Sequence, residues 1–425
     1  MLSVESPRKI IGVPRKIAVL QEQKGLQWNT HPEGGHTSTF IFTSSGAAAL
    51  RIGISADNLP SQAELRFFQG NIVGDRAEFV VTGEGINTLI QRNMKSKPDN
   101  EYSDVYWSPV IEGESLGVEI YVPPGGETDD VQITFSALSH LAVSPFSSSE
   151  HQFINQDYGD SNACQNDATC YPSWLNMRKA VAKMVFTDSG STYICTGTLL
   201  NDADLTTWKP YFISANHCIA NQTVASTLQT LWFFESSTCN GTTRNADYAT
   251  RTGGATLLWT GGTTTSDLDS NQDASLLELH DSPPAGVYYA GWNINIDPGE
   301  LTGVHHPQGD WKKISFGNNE GEYKCYMDGA DFSCTPSDTG SFLAVDWTDG
   351  GTQGGSSGSG IFHNSDELVG VLKGGNGGCD AEGFSVYSKF SAAYSAGNLG
   401  QWLNTVPSSG GEGSIVPILY LLLNQ

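Results

Sequence analysis

The 425 residues carry 22 Lys and Arg against 46 Asp and Glu, a formal charge of −24 at neutral pH. So acidic a chain has no electrostatic attraction to phosphate backbones or anionic lipid, which excludes nucleic-acid binding as the starting expectation. Only 16% of the residues are charged while glycine numbers 48, a composition of turn-rich β structure rather than of helical bundles.

The chain opens with MLSVESPRKIIGVPRKIAVLQEQ, which lacks the apolar run of about 7 to 15 residues that an export signal needs, so a truncated or misassigned start is expected. The runs STFIFTS, AELRFFQG, RAEFVVTGEG, LGVEIYVPPG and VQITFSAL then alternate apolar and polar residues between turns. Their period of two predicts an antiparallel β-sandwich over residues 1–145. The stretch SPFSSSEHQFINQDYGDSNA has no periodicity and reads as a linker, placed at residues 146–163.

Residues 164–407 hold all eight cysteines, together with the strand-like runs KAVAKMVF, YICTGTLL, YFISAN, TLWFFES, ATLLWT, ASLLELH and ELVGVLKGG. An even cysteine count confined to one region indicates a disulfide-stapled domain from an oxidising compartment, hence a secreted or cell-surface protein. Tyr387 to Leu403 predicts a helix turning Phe390, Tyr394 and Trp402 inward ahead of Pro407. Residues 408–425 form a linker and the apolar tail IVPILYLLL, too short for a span of about 20 residues. A sorting-signal remnant and an ordinary docking tail both stay open for it.

The segment GGSSGSG, Gly354 to Gly360, can present a serine on a turn closed to other residues, with main-chain N–H groups free to stabilise an oxyanion. Alone it is a weak signal. An α/β-hydrolase elbow would use Gly354, Ser356 and Gly358, but the only histidine downstream is His363, too near to be its base. A base lying upstream fits better. The strand-like YFISANHC ends on His217 beside Cys218, with Cys195 in YICTG as a candidate partner that would hold the imidazole rigid. Between them, Asp273 opens the apolar run DASLLEL, where a buried carboxylate can fix an imidazole tautomer. Asp267 and Asp269 compete for this role from a polar loop.

The order His217, Asp273, Ser357, with ANHC, DASLLEL, HHPQGDWKKISF and GGSSGSG in sequence, resembles the chymotrypsin-like serine endopeptidases, and among them the bacterial lysyl endopeptidases. The resemblance covers residues 160 to 405, and the N-terminal region resembles that family's propeptide. It implies an all-β fold: a double β-barrel with a C-terminal helix, preceded by the sandwich-like domain. It implies Ser357 as nucleophile, His217 as base, Asp273 as orienting carboxylate, and the N–H groups of Gly355 and Ser357 as oxyanion hole. It also implies the disulfides Cys164–Cys379, Cys170–Cys239 and Cys195–Cys218, leaving Cys325 and Cys334 to pair. No cofactor is expected. Nor is a metal site, since neighbouring histidines such as His305 and His306 point oppositely on a strand and no ligand cluster completes them.

The match breaks where lysine would be recognised. The family's pocket acid falls on Ser385 in GFSVYSKF, and its pocket histidine on Lys373 in VLKGG, whose ammonium would repel a cationic substrate. Asp349 is the candidate replacement for the missing charge. From Pro98 to Met177 there is no Lys or Arg, so an enzyme that matures itself by cutting the linker near Tyr158 and Gly159 does not prefer basic residues. The pocket is therefore expected to take an acidic, polar or apolar side chain, with Lys373 favouring the first. Ser356 stands where chymotrypsin has the aspartate that pairs with a freed N-terminus, so activation is expected to be removal of a covering domain. The expected partners are protein or peptide substrates and the chain's own N-terminal domain, as inhibitor or folding chaperone, around a monomer. An inactive protease-fold binding module or adhesin is the alternative.

Overall fold

The computed structural model describes residues 2–5, by backbone only, and 8–17, 26–70, 77–96, 102–147, 161–203, 208–262, 272–295, 299–328, 331–363, 367–376 and 384–403. The apolar tail, the expected cleavage site at Tyr158 and Gly159, Asp267 and Asp269 lie outside them.

Alternating residues build the N-terminal layers as expected. A five-stranded antiparallel sheet orders Asn29–Thr30, His36–Thr43, Ser115–Val122, Glu64–Gln69 and Phe79–Thr82. Its inner face meets the strands Ala49–Asn58 and Gln132–Leu141 over a core that includes Leu50, Ile52, Leu65, Phe67, Val118 and Ile120. One element departs from the all-strand expectation. After the strand Phe79–Thr82 the chain forms the helix Gly83–Ser96, capped where Thr82 Oγ1 accepts the Gly85 N–H at 3.2 Å. Ile86, Leu89, Ile90 and Asn93 are its buried stripe, spaced at helical period.

The cysteine-rich half has two β units. In the second, Glu300–His305, Lys313–Asp328, Phe342–Asp349, Phe384–Lys389, Glu367–Gly375 and Gly360–His363 pair in a ring that closes between the first and last strands. The first unit is a half-barrel whose strands run Ala249–Arg251, Gln229–Trp232, Val181–Asp188, Ser191–Leu200, Tyr211–Ser214, Ser275–Leu279 and Ala255–Thr260. Val181–Asp188 is buried almost throughout, which explains why its sequence reads as a continuous apolar run instead of an alternation.

The helix expected from Tyr387 begins later. Phe384–Lys389 is a strand, and the helix Phe390–Ala396 ends at Gly397 before a second short turn, Gly400–Leu403. Tyr387 belongs to the barrel because strand pairing with Leu343 and Leu372 claims it. Phe390 is buried, with Tyr394 and Trp402 packed against the same core, so the inward face is as expected.

Sequence reading missed how the two halves join. Lys9–Arg15 lies between Gln132–Leu141 and Ser191–Leu200, so one sheet runs from the N-terminal layers into the half-barrel. Leu2–Glu5 likewise adds to Asp331–Pro336 in the other unit. Arg51, from the N-terminal half, is buried at this junction. It donates to Ser108 O at 2.7 Å, Thr187 Oγ1 at 2.9 Å and Thr227 O at 2.9 Å, so its buried charge is hydrogen-bonded on both sides of the junction.

Disulfides join Cys170 to Cys239, Cys195 to Cys218 and Cys325 to Cys334. The expected Cys164–Cys379 pair falls on Cys379, outside the described residues.

Candidate active site

His217 sits on the turn that follows the strand Tyr211–Ser214, and the Cys195–Cys218 disulfide ties that turn to the neighbouring strand Ser191–Leu200. Asp273 precedes the strand Ser275–Leu279, which pairs with Tyr211–Ser214. That pairing brings the two side chains together. Asp273 Oδ2 lies 2.6 Å from His217 Nδ1, and Oδ1 accepts the His217 backbone N–H at 2.8 Å. The carboxylate thus holds both the ring and its main chain. Asp273 is 1% exposed. Burial alone would raise its pKa, but the charges of His217 and Lys373 and the hydrogen bonds from His217 outweigh it, keeping the carboxyl well below the ordinary carboxylate range.

The glycine-serine turn reaches the same place from the closed barrel. Thr196 N–H donates to Ser357 O at 2.8 Å, next to the disulfide that anchors the His217 turn. Gly358 has φ +81, and a Cβ there would stand 2.1 Å from Ser214 Oγ and 2.9 Å from Ala215 N, so only glycine lets the turn approach so closely. Ser357 is itself 1% exposed. His217 Nε2 is buried and makes no hydrogen bond among the described residues.

The backbone ahead of Ser357 is also fixed. Gln308 N–H donates to Gly354 O at 2.6 Å, which in a trans peptide turns the Gly355 N–H to the opposite side. Gly355 has φ +94, and Thr196 Oγ1 donates to its carbonyl at 2.8 Å.

Beneath this turn lies a contact that sequence reading missed. His305 Nδ1 is 2.7 Å from Ser356 Oγ and its Nε2 is 3.1 Å from Ser315 Oγ, which binds both the carbonyl and the N–H of Gly351 at 2.9 Å. Ser356 Oγ also accepts the Gln353 N–H at 3.2 Å. A buried imidazole therefore braces residues 351 to 356. The HHP doublet was a visible signal; that His305 faces Ser356 depends on barrel register. His306 faces away, toward Asp310 O at 3.0 Å.

Burial, helped by the Lys313 charge, lowers His305 to about 3, and burial lowers His306 well below its ordinary value. Below pH about 6.5 the unfolded chain takes up protons that these folded imidazoles refuse, so stability is complete above that pH and drains away as pH falls toward 3. Denaturant titrations should show a loss of about 2 kcal/mol from His305 between pH 7 and pH 5, with His306 acting in the same direction, where most carboxylates stay ionised. Equal stability at the two pH values would contradict this.

The three residues expected in the specificity pocket separate. Ser385 is buried; its Oγ accepts the Trp347 indole N–H at 2.8 Å and lies 2.7 Å from Thr352 Oγ1. Asp349 ends its strand exposed, and its carboxylate takes Asn166 Nδ2 at 2.9 Å; it is not among the hydrogen-bond partners of Ser385. Lys373 is buried, but its Nζ donates to Asp273 Oδ2 at 3.1 Å instead of facing Ser385. Of possible metal ligands, Cys195, His217 and Cys218 cluster among the described residues, but both sulfurs are in a disulfide and offer no thiolate.

Residues 3–142 match the lysyl endopeptidase N-terminal domain, and residues 158–391 match the lysyl endopeptidase C-terminal domain. A lysyl endopeptidase of Pseudomonas aeruginosa is 35% identical over 408 residues, covering 91% of this chain and 79% of the relative. The chain belongs to the lysyl endopeptidase family. As a member it is a trypsin-like serine endopeptidase, a hydrolase whose substrates are proteins or peptides. Among solved structures, a thermostable serine protease AL20 from an extremophilic microorganism is similar at 13% identity and TM-score 0.35, over 52% of this chain and 96% of that one. A scabies mite inactivated protease paralogue is similar at 13% identity and TM-score 0.37, over 52% and 94%.

Proposed function

We propose that this lysyl endopeptidase relative is a secreted enzyme that cleaves peptide bonds through an acyl-enzyme, with Ser357 as nucleophile, His217 as general base and Asp273 as orienting carboxylate. The observation that carries the reading is the His217–Asp273 pair, with the glycine-flanked Ser357 packed against the same turn. Asp273 fixes the proton on Nδ1 and leaves the unpartnered Nε2 to accept the seryl proton. That transfer bond is commonly long in a free enzyme and tightens with substrate. Gly355 and Ser357 N–H groups then hold the tetrahedral oxyanion, each donor worth about 3 to 4 kcal/mol in the transition state.

The family name does not extend to the substrate side chain. The matched pocket position is Ser385, a hydroxyl bound to Trp347 and Thr352, and among the described residues no carboxylate is hydrogen-bonded to these three side chains. With Lys373 neutralised against Asp273, the ammonium no longer argues for an acidic substrate. An uncharged side chain is the reading that remains. Profiling on a peptide library should show no dominance of lysine, and Ser385→Asp should raise lysine cleavage about 100-fold by giving the ammonium a partner. Dominant lysine cleavage by the unaltered enzyme would overturn this specificity.

The N-terminal half fits a removable cover and folding aid. Its strands extend both units of the protease half, which supports a role in folding them. The inactive-module alternative predicts that an organophosphonate leaves Ser357 unlabelled.

A further inference from the structure

Asp273 Oδ2 receives two donors at once: His217 Nδ1 at 2.6 Å and Lys373 Nζ at 3.1 Å. Lys373 stands on the strand Glu367–Gly375 and is 1% exposed, and its Nζ lies 4.6 Å from the centroid of the buried Phe332 ring. Phe332 belongs to a hairpin closed by the Cys325–Cys334 disulfide. The ammonium is therefore held between an aromatic face and a carboxylate, both of which favour its charge. From the following strand, Ser388 Oγ accepts the Asp273 N–H at 3.3 Å, and Lys389 is engaged with Glu322. Among the described residues the charged groups gathered on this carboxylate are His217 and Lys373 alone.

We propose that Lys373 is a positioning residue for the His217–Asp273 pair, orienting the carboxylate and setting the pH at which His217 can accept the Ser357 proton. The inference rests on the triad reading given above. A lone carboxylate stabilises imidazolium fully. A fixed ammonium on the same oxygen offsets part of that field and opposes protonation of the ring. The imidazole then remains available as a base at lower pH, and Asp273 keeps its rotamer when the ring takes up its proton.

The test is the rate at which diisopropyl fluorophosphate inactivates the purified enzyme between pH 4 and 9, a probe that needs no knowledge of the substrate side chain. For Lys373→Met and Lys373→Gln the midpoint of the acid limb should move up by about one pH unit or more. Lys373→Arg, which keeps the charge, should leave it near the wild-type position. Near-UV circular dichroism identifies which neutral variant is folded and so carries the comparison. A merely structural lysine would lower the rate without moving the midpoint, and unchanged midpoints in a folded neutral variant would overturn the proposal. Failure of the triad reading looks different, since the wild-type enzyme would then not be labelled at Ser357 at any pH.

Discussion

Ser357→Ala should lower kcat/KM by about 10⁵-fold or more while leaving the melting temperature within a few degrees of wild type. The scale follows from the coupling of the three groups, because without the hydroxyl neither His217 nor Asp273 has a proton to move. What survives comes from the oxyanion donors and substrate binding, about 10³-fold over water. Stability should change little, since several other contacts hold this turn: Ser357 O on Thr196, Gly354 O on Gln308, Gly355 O on Thr196 Oγ1 and Ser356 Oγ on His305. The same variant tests self-maturation. Wild-type protein expressed without other proteases should lose its N-terminal half, while Ser357→Ala should stay at full length until active enzyme is added. Activity within tenfold of wild type in the variant would remove Ser357 from the chemistry.

The candidate groups were legible in the sequence because each is announced by its own neighbours. A strand-like run leads to His217 beside a cysteine, an apolar run begins at Asp273, and glycines lie on both sides of the Ser356–Ser357 pair. The disulfide Cys325–Cys334 was legible because only nine positions separate the pair. Other features depend on register between strands far apart in the chain. Lys373 looks like a pocket residue by position in VLKGG, and only the packing of its strand behind Asp273 shows that its charge is already paired. The addition of Lys9–Arg15 to Ser191–Leu200 leaves no local trace, because strand pairing is set by main-chain edges that any sequence offers. The helix Gly83–Ser96 was legible in principle from Ile86, Leu89, Ile90 and Asn93. Its signal was hidden by the strand Phe79–Thr82 running directly into it.

Asp273 should behave unlike an ordinary triad carboxylate, because two cations of different kinds depend on it. Asp273→Asn should reduce kcat by about 10⁴-fold, since an amide cannot hold the imidazole in the required tautomer. Asp273→Ala should lose comparable activity and in addition about 3 to 5 kcal/mol of stability, because Lys373 would be left as a buried ammonium without its carboxylate partner, against the Phe332 ring. The sign of the pH effect follows from the depressed carboxyl: the contribution of Asp273 is complete above its unfolded pKa near 3.9 and disappears as pH falls through the lower folded value. The decisive comparison is the double variant Asp273→Ala with Lys373→Met. Removing the stranded charge should restore about 2 kcal/mol or more of the stability lost by Asp273→Ala, since an apolar pair of similar bulk replaces a broken ion pair. Activity should not return with it, because the imidazole still has no orienting partner. Denaturant titration and kcat/KM on the same four proteins read the two quantities separately. Additive stability changes would show that the ammonium draws nothing from Asp273, whereas recovery of stability without activity would place both roles of that carboxylate, structural and catalytic, on the same oxygen.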